Sequence, residues 1–356
     1  MSVPLPTVEL QLQEQVLQAL ERNLWSDRYV GARTRAEDSF VAVKVRYRGG
    51  HTRSYPKRSY EVVHDGRVTH YNAEYDDPSM IRNALSFAFF NRIGVPAPKT
   101  EHVRLAMNGK PLGVYLAIEG VGRSFFAKRS LGVSALFYAV NNDADFGLTS
   151  AETGERKRAM LSGYEHRYGG APEKIKLSSF IRAIHARSGG RIGTVHHRAA
   201  SKLDVDNYLR WLAGAVLTGN YDGFEQNYAI YRSSRTGRYR IVPWDYEGTW
   251  GRNCYGRAVD SNMVSISGYN HLTRKLLENR SIRAWYARLL RELIDGPFTE
   301  QALMPLADSM LGRIAPYVRE DGMQRWSYRE FAGESARIRR YIRERREGVN
   351  AELRRW

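Results

Sequence analysis

Apolar and polar positions alternate cleanly between residues 40 and 48. Val41, Val43, Val45 and Tyr47 fall on one face, and Lys44, Arg46 and Arg48 on the other. A period of two marks a half-buried strand. That strand ends at Gly49-Gly50, and YPKRSYEVV offers a second strand beyond the glycine turn, with Lys57 near its start. Upstream, Leu10, Leu12, Val16, Leu17, Leu20 and Leu24 recur at helical spacing over residues 9 to 24, predicting a lead-in helix after a short strand. DDPSMIRNALSFAFFNRIGVPAP predicts a helix with Asp77 as N-cap, Pro78 at the first helical position, and Gly94 as its stop ahead of Pro96. EHVRLAMNGKPLGVYLAIEG reads as a hairpin turning at Asn108-Gly109, and its second strand delivers Glu119. ALFYAVNN predicts another short strand, residues 204 to 218 a helix, and from residue 272 the pattern is helical almost to the end.

This order of elements gives an α+β fold class, with a strand-rich N-terminal half, a central hairpin and a helical C-terminal half. A chain of 356 residues exceeds what one core usually fills, so two lobes sharing a cleft are expected. Hydrophobic content of 42% and aromatic content of 12% suffice for buried cores throughout. The 55 Lys and Arg against 38 Asp and Glu leave a net charge of +17, which favours polyanionic partners such as nucleotides, nucleic acid, acidic polymers or a membrane surface. Cys254 is the only cysteine, which excludes an intramolecular disulfide and a cysteine-based structural zinc site. MSVPLPTVELQLQEQ lacks a basic n-region and an apolar h-region, and runs such as ALFYAV and ALSFAFF fall far short of a membrane span, so a cytoplasmic protein is expected. The arginine-rich C-terminal helix, with Ile338, Ile342 and Val349 on its apolar stripe, reads as a packed helix with a solvated basic face and no chemistry. His196-His197 are adjacent, cannot share a helix face and have no third ligand nearby, so they read as structure or surface.

Candidate chemistry concentrates in GNYDGFEQNYAIYRSSRTGRYRIVPWDYEGTWG, residues 219 to 251. Two strands and a turn would bring Asp222, Asn227 and Asp245 to the base of one hairpin. Two acids and an amide there can hold magnesium against phosphates, since that ion takes hard oxygen ligands and keeps some of its waters. Phosphoryl transfer also needs a carboxylate to orient the attacking hydroxyl and accept its proton. Protein kinases carry these parts as Asp, four residues, Asn, and a later metal-binding Asp, which is the spacing here. Singly, Asp222 and Asn227 are ordinary turn residues. Two other readings stand beside the kinase one. A nucleic-acid-binding protein would use its arginines and the aromatics of YRSSRTGRYR, and a glycoside hydrolase would pair Asp222 with Asp245. Asp145-Phe146-Gly147 is a literal kinase metal motif, but it lies 77 residues before Asp222, the wrong order, and reads as a turn.

RYRGG, YPKRSYEV, NGKPLGVYLAIE, NYDGFEQNYAIY and VPWDYEGTWG, in this order, resemble the motifs of the spore coat protein H (CotH) family of atypical kinases, and the likeness covers nearly the whole chain. The resemblance implies an atypical protein-kinase-like two-lobed fold. Its expected boundaries are a lead-in strand and helix over 1–37 and a kinase domain over 38–356, N-lobe-like over about 38–140 and C-lobe-like over about 141–356. It implies an ATP-dependent protein kinase requiring Mg²⁺ or Mn²⁺, with a serine or threonine of a partner protein as acceptor and with nucleic acid not expected as a partner. Asp222 is then the catalytic base, and Asn227 and Asp245 are metal ligands. Tyr239 and Phe137 would stack on adenine, Lys57 would contact phosphate with help from Arg48, and Glu119 would orient Lys57. Two departures stand out. Family members read P-W-D-x-D where this chain has Glu247 as the second acid, a longer and potentially weaker or water-mediated ligand. The DDPSMIRNALSFAFFNRIG helix has no acid after its cap, so the usual lysine-to-helix-glutamate pair cannot form there. These departures, with the absence of a G-x-G-x-x-G loop, keep a nucleotide-binding pseudokinase scaffold as the alternative. Spore coat association follows from the resemblance alone.

Overall fold

The computed structural model describes residues 4–36, 39–186 and 201–356. They form two compact units, one drawn from residues 1–85, 98–125 and 304–336 and the other from residues 86–97, 126–303 and 337–356. The boundaries expected at 37 and 140 differ from this division, because the first strands belong to the same barrel as those that follow. His196-His197 lie outside the described residues.

In the first unit seven strands close into a barrel: β1 (Thr7–Gln11), β2 (Val30–Ala36), β3 (Ser39–Arg48), β4 (Ser59–His64), β5 (Arg67–Asn72), β6 (Thr100–Met107) and β7 (Lys110–Glu119). The order around it is β1-β2-β3-β4-β5-β7-β6, and β1 closes it by pairing antiparallel with β2 and parallel with β6. The alternation read in β3 holds. Val43, Val45 and Tyr47 point into a core shared with Leu10, Tyr60, Val62, Val103, Leu105 and Tyr115. The expected helix over 9–24 is shorter, Glu14–Arg22, and Leu10 lies in β1 opposite Thr34 and Met107. Strand pairing and full burial of Leu10 outweigh the leucines' helical spacing. Asn108 and Gly109 take φ of 50° and 77°, as the tight β6–β7 turn requires.

The helix expected to start at Asp77 and Pro78 is Arg82–Arg92. Asp77 still caps it from a distance, accepting from Arg82 N at 2.9 Å and Ser79 N at 2.8 Å, and Gly94 turns the chain at φ 83°. A second polar lock sits beside the barrel. Lys57 Nζ is 2.7 Å from Asp321 Oδ2 and from Val114 O, with both side chains of the ion pair essentially sealed from solvent.

The second unit is built on a four-stranded antiparallel sheet of β8 (Ala135–Ala139), β9 (Tyr164–Tyr168), β10 (Tyr228–Arg232) and β11 (Tyr239–Pro243), in the order β11-β10-β8-β9. Helices Ala171–His185, Val205–Thr218, His271–Leu277 and Arg280–Asp295 belong to it, as does most of the C-terminal helix Glu334–Leu353. Asp204 caps the second of these by accepting from Asn207 N. The strand-rich first half and helical second half agree with the α+β expectation. Among the described residues no helix is long and apolar enough to cross a membrane.

A buried cation stripped of its partner costs far more than the pair contributes. Asp321→Ala is therefore expected to destabilise the protein by about 3–5 kcal/mol, whereas Lys57→Met combined with Asp321→Leu recovers most of that loss. Urea denaturation checks both, and an Asp321→Ala midpoint equal to wild type would contradict the lock.

Candidate active site

Helix Val205–Thr218 is buried from Trp211 to Thr218 and stops at Gly219, whose φ of 73° makes it a left-handed C-cap. The chain then passes through Asn220 into a single 3₁₀ turn, Tyr221–Gly223, which carries Asp222. β10 follows, turns back as β11, and leads to Trp244 and Asp245. The register Tyr228↔Pro243 continues one step outward as a hydrogen bond from Trp244 N to Asn227 O at 3.2 Å. Asn227 and Asp245 therefore stand at the open end of one hairpin, as expected. Asn227 Nδ2 donates to Asp222 Oδ2 at 3.0 Å, and Gln226 Nε2 donates to Asp222 Oδ1 at 2.8 Å. Asn220 Nδ2 donates to the Asp245 carbonyl at 3.3 Å, joining the two acid-bearing segments again. Asn227 and Asp245 both adopt left-handed backbone, φ 58° and 59°. Asn and Asp tolerate this best among residues with a Cβ, and such conformations gather at functional sites.

Burial raises the Asp222 carboxyl above the ordinary aspartate range, and the hydrogen bonds from Gln226 and Asn227 hold it down in part. Glu225 is raised by burial and by the charges of Asp145 and Asp222. The Cys254 thiol is pushed up by burial, against a hydrogen bond with Tyr221 and with the charges of Asp222, Glu247 and Asp245 adding to the rise. Among the described residues no group of three or more His, Cys, Asp or Glu side chains could by itself hold a metal ion. Asn227, Asp245 and Glu247 offer hard oxygen donors suited to a magnesium-like ion that completes its shell with phosphate oxygens and water. Asn227 fits this role, because its amide nitrogen is spent on Asp222 and its oxygen is turned away from that carboxylate.

The aromatic pair expected to stack on adenine needs correction. Phe137 is fully buried and stacks on His166 at 4.8 Å between ring centroids, and Tyr239 is 2% exposed and packs on Phe180 at 4.9 Å. Phe137, Ile230 and Ile241 are register partners across the sheet, so they and Tyr239 share the face that Phe180 covers. One residue along, the parity flips. Tyr138 and Trp244 are half-buried on the opposite face, with ring centroids 5.9 Å apart and planes 27° from parallel, and Arg167 caps the Tyr138 ring at 4.9 Å. Strand alternation, applied from Ala135 to Ala139, was the signal for this pair.

Within the barrel unit Lys57 does not pair with Glu119. Its partners are Asp321 and Val114, it is 1% exposed, and Glu119 instead accepts from Lys99 N at 3.2 Å. Both bonds hold the ammonium, so the phosphate role expected of Lys57 is replaced by a structural one. Arg48, at the end of β3, is half-buried and donates to Asn72 Oδ1, while Asn72 donates onward to Glu74 at 3.1 Å. Asp145 of the decoy motif sits in a turn, bound to Lys157 Nζ at 2.8 Å and to Gly147 N at 2.7 Å, so its carboxylate serves the loop.

Asp222, Asn227 and Asp245 are thus carried by one 3₁₀ turn and one hairpin within the second unit. A family profile described as CotH kinase protein matches residues 45–349, and the chain belongs to that family. It is 37% identical to the inner spore coat protein H of Bacillus subtilis (strain 168) over 96% of this chain and 95% of the relative. It is 27% identical to the inner spore coat protein H-like protein of the same organism, over 83% of this chain and 86% of the other. Among solved structures, the Helicobacter pylori proinflammatory kinase CtkA aligns over 83% of this chain and 93% of its own at 10% identity, with a TM-score of 0.33.

A donated N–H stabilises the charged carboxylate, so removing one raises the pKa. The Asp222 carboxyl is expected to titrate above the usual aspartate value of about 3.9, and higher still in Gln226→Ala. Carbon-13 NMR of labelled aspartates checks this; a midpoint unmoved by the substitution would contradict the geometry.

Proposed function

We propose that this chain is an ATP-dependent protein kinase that phosphorylates serine or threonine on a partner protein and uses Mg²⁺ or Mn²⁺. The observation that carries the reading is the desolvated Asp222 carboxylate, held by Asn227 and Gln226 at the mouth of the β10–β11 hairpin beside Asp245. Asp222 accepts a hydrogen bond from the acceptor hydroxyl, orients it in line with the γ-phosphorus and takes its proton as the new O–P bond forms and the bond from the γ-phosphorus to the bridging oxygen breaks, releasing ADP. Its pKa, raised by burial, makes it a stronger base than an exposed aspartate. Asn227, Asp245 and Glu247 would hold the divalent ion, which would supply neutralisation of the charge developing on the transferred group. The reacting groups stay oriented because their backbone is fixed by the hairpin register and by Asn220.

Tyr138 and Trp244 are assigned to the adenine in place of Phe137 and Tyr239. Their rings, 5.9 Å apart between centroids and 27° from parallel, are half-buried rather than sealed, which suits a planar aromatic ligand. Of the two cations expected to meet phosphate, Lys57 is committed to Asp321, and Arg48 is bound to Asn72 within the barrel unit. A spore coat setting for the acceptor rests on the name of the Bacillus relative.

Incubation with γ-labelled ATP, Mg²⁺ or Mn²⁺ and a panel of acceptor proteins tests the reading. Metal-dependent label on protein is expected, reduced at least about 1,000-fold in Asp222→Ala and Asp245→Ala, as removal of a catalytic base or a metal ligand commonly does. Trp244→Ala should instead raise the KM for ATP by about 10-fold or more, with a smaller change in kcat. ATP binding without label would leave a nucleotide-binding scaffold, and failure to bind ATP would overturn the proposal.

A further inference from the structure

The C-terminal helix Glu334–Leu353, which its sequence marks only as a basic face, buries a complete guanidinium. Arg345 is 0% exposed, and its recorded partners are all carbonyl oxygens: Val216 O from Nε at 3.0 Å, Ser261 O from Nη1 at 3.3 Å and Val264 O from Nη2 at 2.6 Å. Among the described residues no carboxylate forms an ion pair with it. Burying an arginine without an anion is costly unless its donors meet strong acceptors. Val216 supplies one of the strongest available, since its carbonyl lies at the negative end of the helix dipole and has a lone pair left after accepting from Gly219 N at 3.2 Å.

One turn earlier on the same face, Tyr341 Oη donates to Leu217 O at 3.0 Å. The two side chains thus grip consecutive carbonyls at the end of helix Val205–Thr218. The grip extends to the cap itself, for a Cβ on Gly219 would come within 2.4 Å of the Tyr341 hydroxyl. From this point both acid-bearing segments hang. Asn220 follows directly, precedes Asp222 and donates to the Asp245 carbonyl, while Trp250 N, just beyond Glu247, donates to Thr218 O at 2.8 Å. The ring of Trp250 lies edge-on to Tyr341 at 6.1 Å, which braces the second segment from the same helix.

We infer that Tyr341 and Arg345 are positioning residues for the phosphotransfer site, fixing the helix end that sets the spacing of Asp222 and Asp245. This rests on the phosphotransferase reading above. Neither residue touches substrate; each acts through a backbone carbonyl of the helix end, five or six residues before Asp222. A displacement of an ångström at a reacting group can cost about 100-fold in rate, so small losses of grip have large effects on turnover.

The test uses Tyr341→Phe, which removes one hydroxyl and nothing else, and Arg345→Lys, which keeps the charge but loses the planar fork. Native-state hydrogen exchange followed by NMR reads the amides of Asn220 and Trp250, and steady-state kinetics reads kcat and the KM for ATP. Expected in Tyr341→Phe is faster exchange at both amides and a kcat lower by about 10- to 100-fold, with the KM for ATP within about twofold, since the Tyr138 and Trp244 rings are not held by these bonds. Unchanged exchange at both amides would overturn the inference whatever the kinetics. Faster exchange with wild-type kcat would overturn it as well, leaving the pair a stabilising role only. Wild-type protein that transfers no phosphoryl group would sink the phosphotransferase reading, an outcome distinguishable because the exchange data are read independently of turnover. Should Tyr341→Phe fail to fold, Arg345→Lys carries the same pair of readouts.

Discussion

The 3.2 Å hydrogen bond from Trp244 N to Asn227 O fixes the functional geometry of the second unit. It is one rung beyond the regular β10–β11 ladder, and it decides what the hairpin presents. With the rung in place, Asn227 and Asp245 face out of the open end, both in left-handed backbone, and the Asn227 amide can reach Asp222. A slip of one residue would turn every side chain of the strand to the other face. Asn227 would then leave Asp222, and Trp244 would leave the face it shares with Tyr138. The register is held from both faces of the sheet. Phe137, Ile230, Ile241 and Tyr239 are buried on one, and Leu136, Tyr231 and Val242 on the other, so a slip would disturb close packing on both.

The two polar locks of the molecule differ in kind. Lys57 and Asp321 form a buried ion pair 264 residues apart in sequence, which stiffens the barrel unit and removes that lysine from chemistry. Arg345 has no anion and is satisfied by carbonyls alone, one of them at the end of the helix that leads into Asp222. The first is a means of holding a chain segment against the barrel. The second bears on the site itself, because the helix end it holds is also the origin of the catalytic turn. Asp222 sits beyond that point in a partly desolvated position, where its charge is disfavoured by burial and restored in part by two amides.

Much of this was legible in the sequence because it depends on local periodicity and turn chemistry. The Val43, Val45 and Tyr47 face, the Asn108-Gly109 turn and the meeting of Asp222, Asn227 and Asp245 follow from alternation, from positive-φ residues and from the return of a hairpin on itself. The misses have equally physical causes. Leu10 has helical spacing but pairs as a strand, since the edges of β2 and β6 offer it hydrogen bonds and burial together. Phe137 and Tyr239 were one residue out of phase with Tyr138 and the Trp244 face, an error of parity rather than of composition. Asp321 could not be matched to Lys57 by any local rule, and the burial of Arg345 is hidden by the many exposed arginines around it.

The central claim is that Asp222, Asn227 and Asp245 together hold a metal-bound nucleotide in position for transfer. Its most direct test is the paramagnetic resonance of Mn²⁺ with ATP bound to the wild-type protein and to Asn227→Ala and Asp245→Ala variants that retain the fold. The account predicts a protein-bound Mn²⁺ spectrum with phosphorus hyperfine coupling in wild type and a spectrum of free Mn·ATP in both variants. A wild-type spectrum indistinguishable from free Mn·ATP, or a bound spectrum that survives both substitutions, would contradict it.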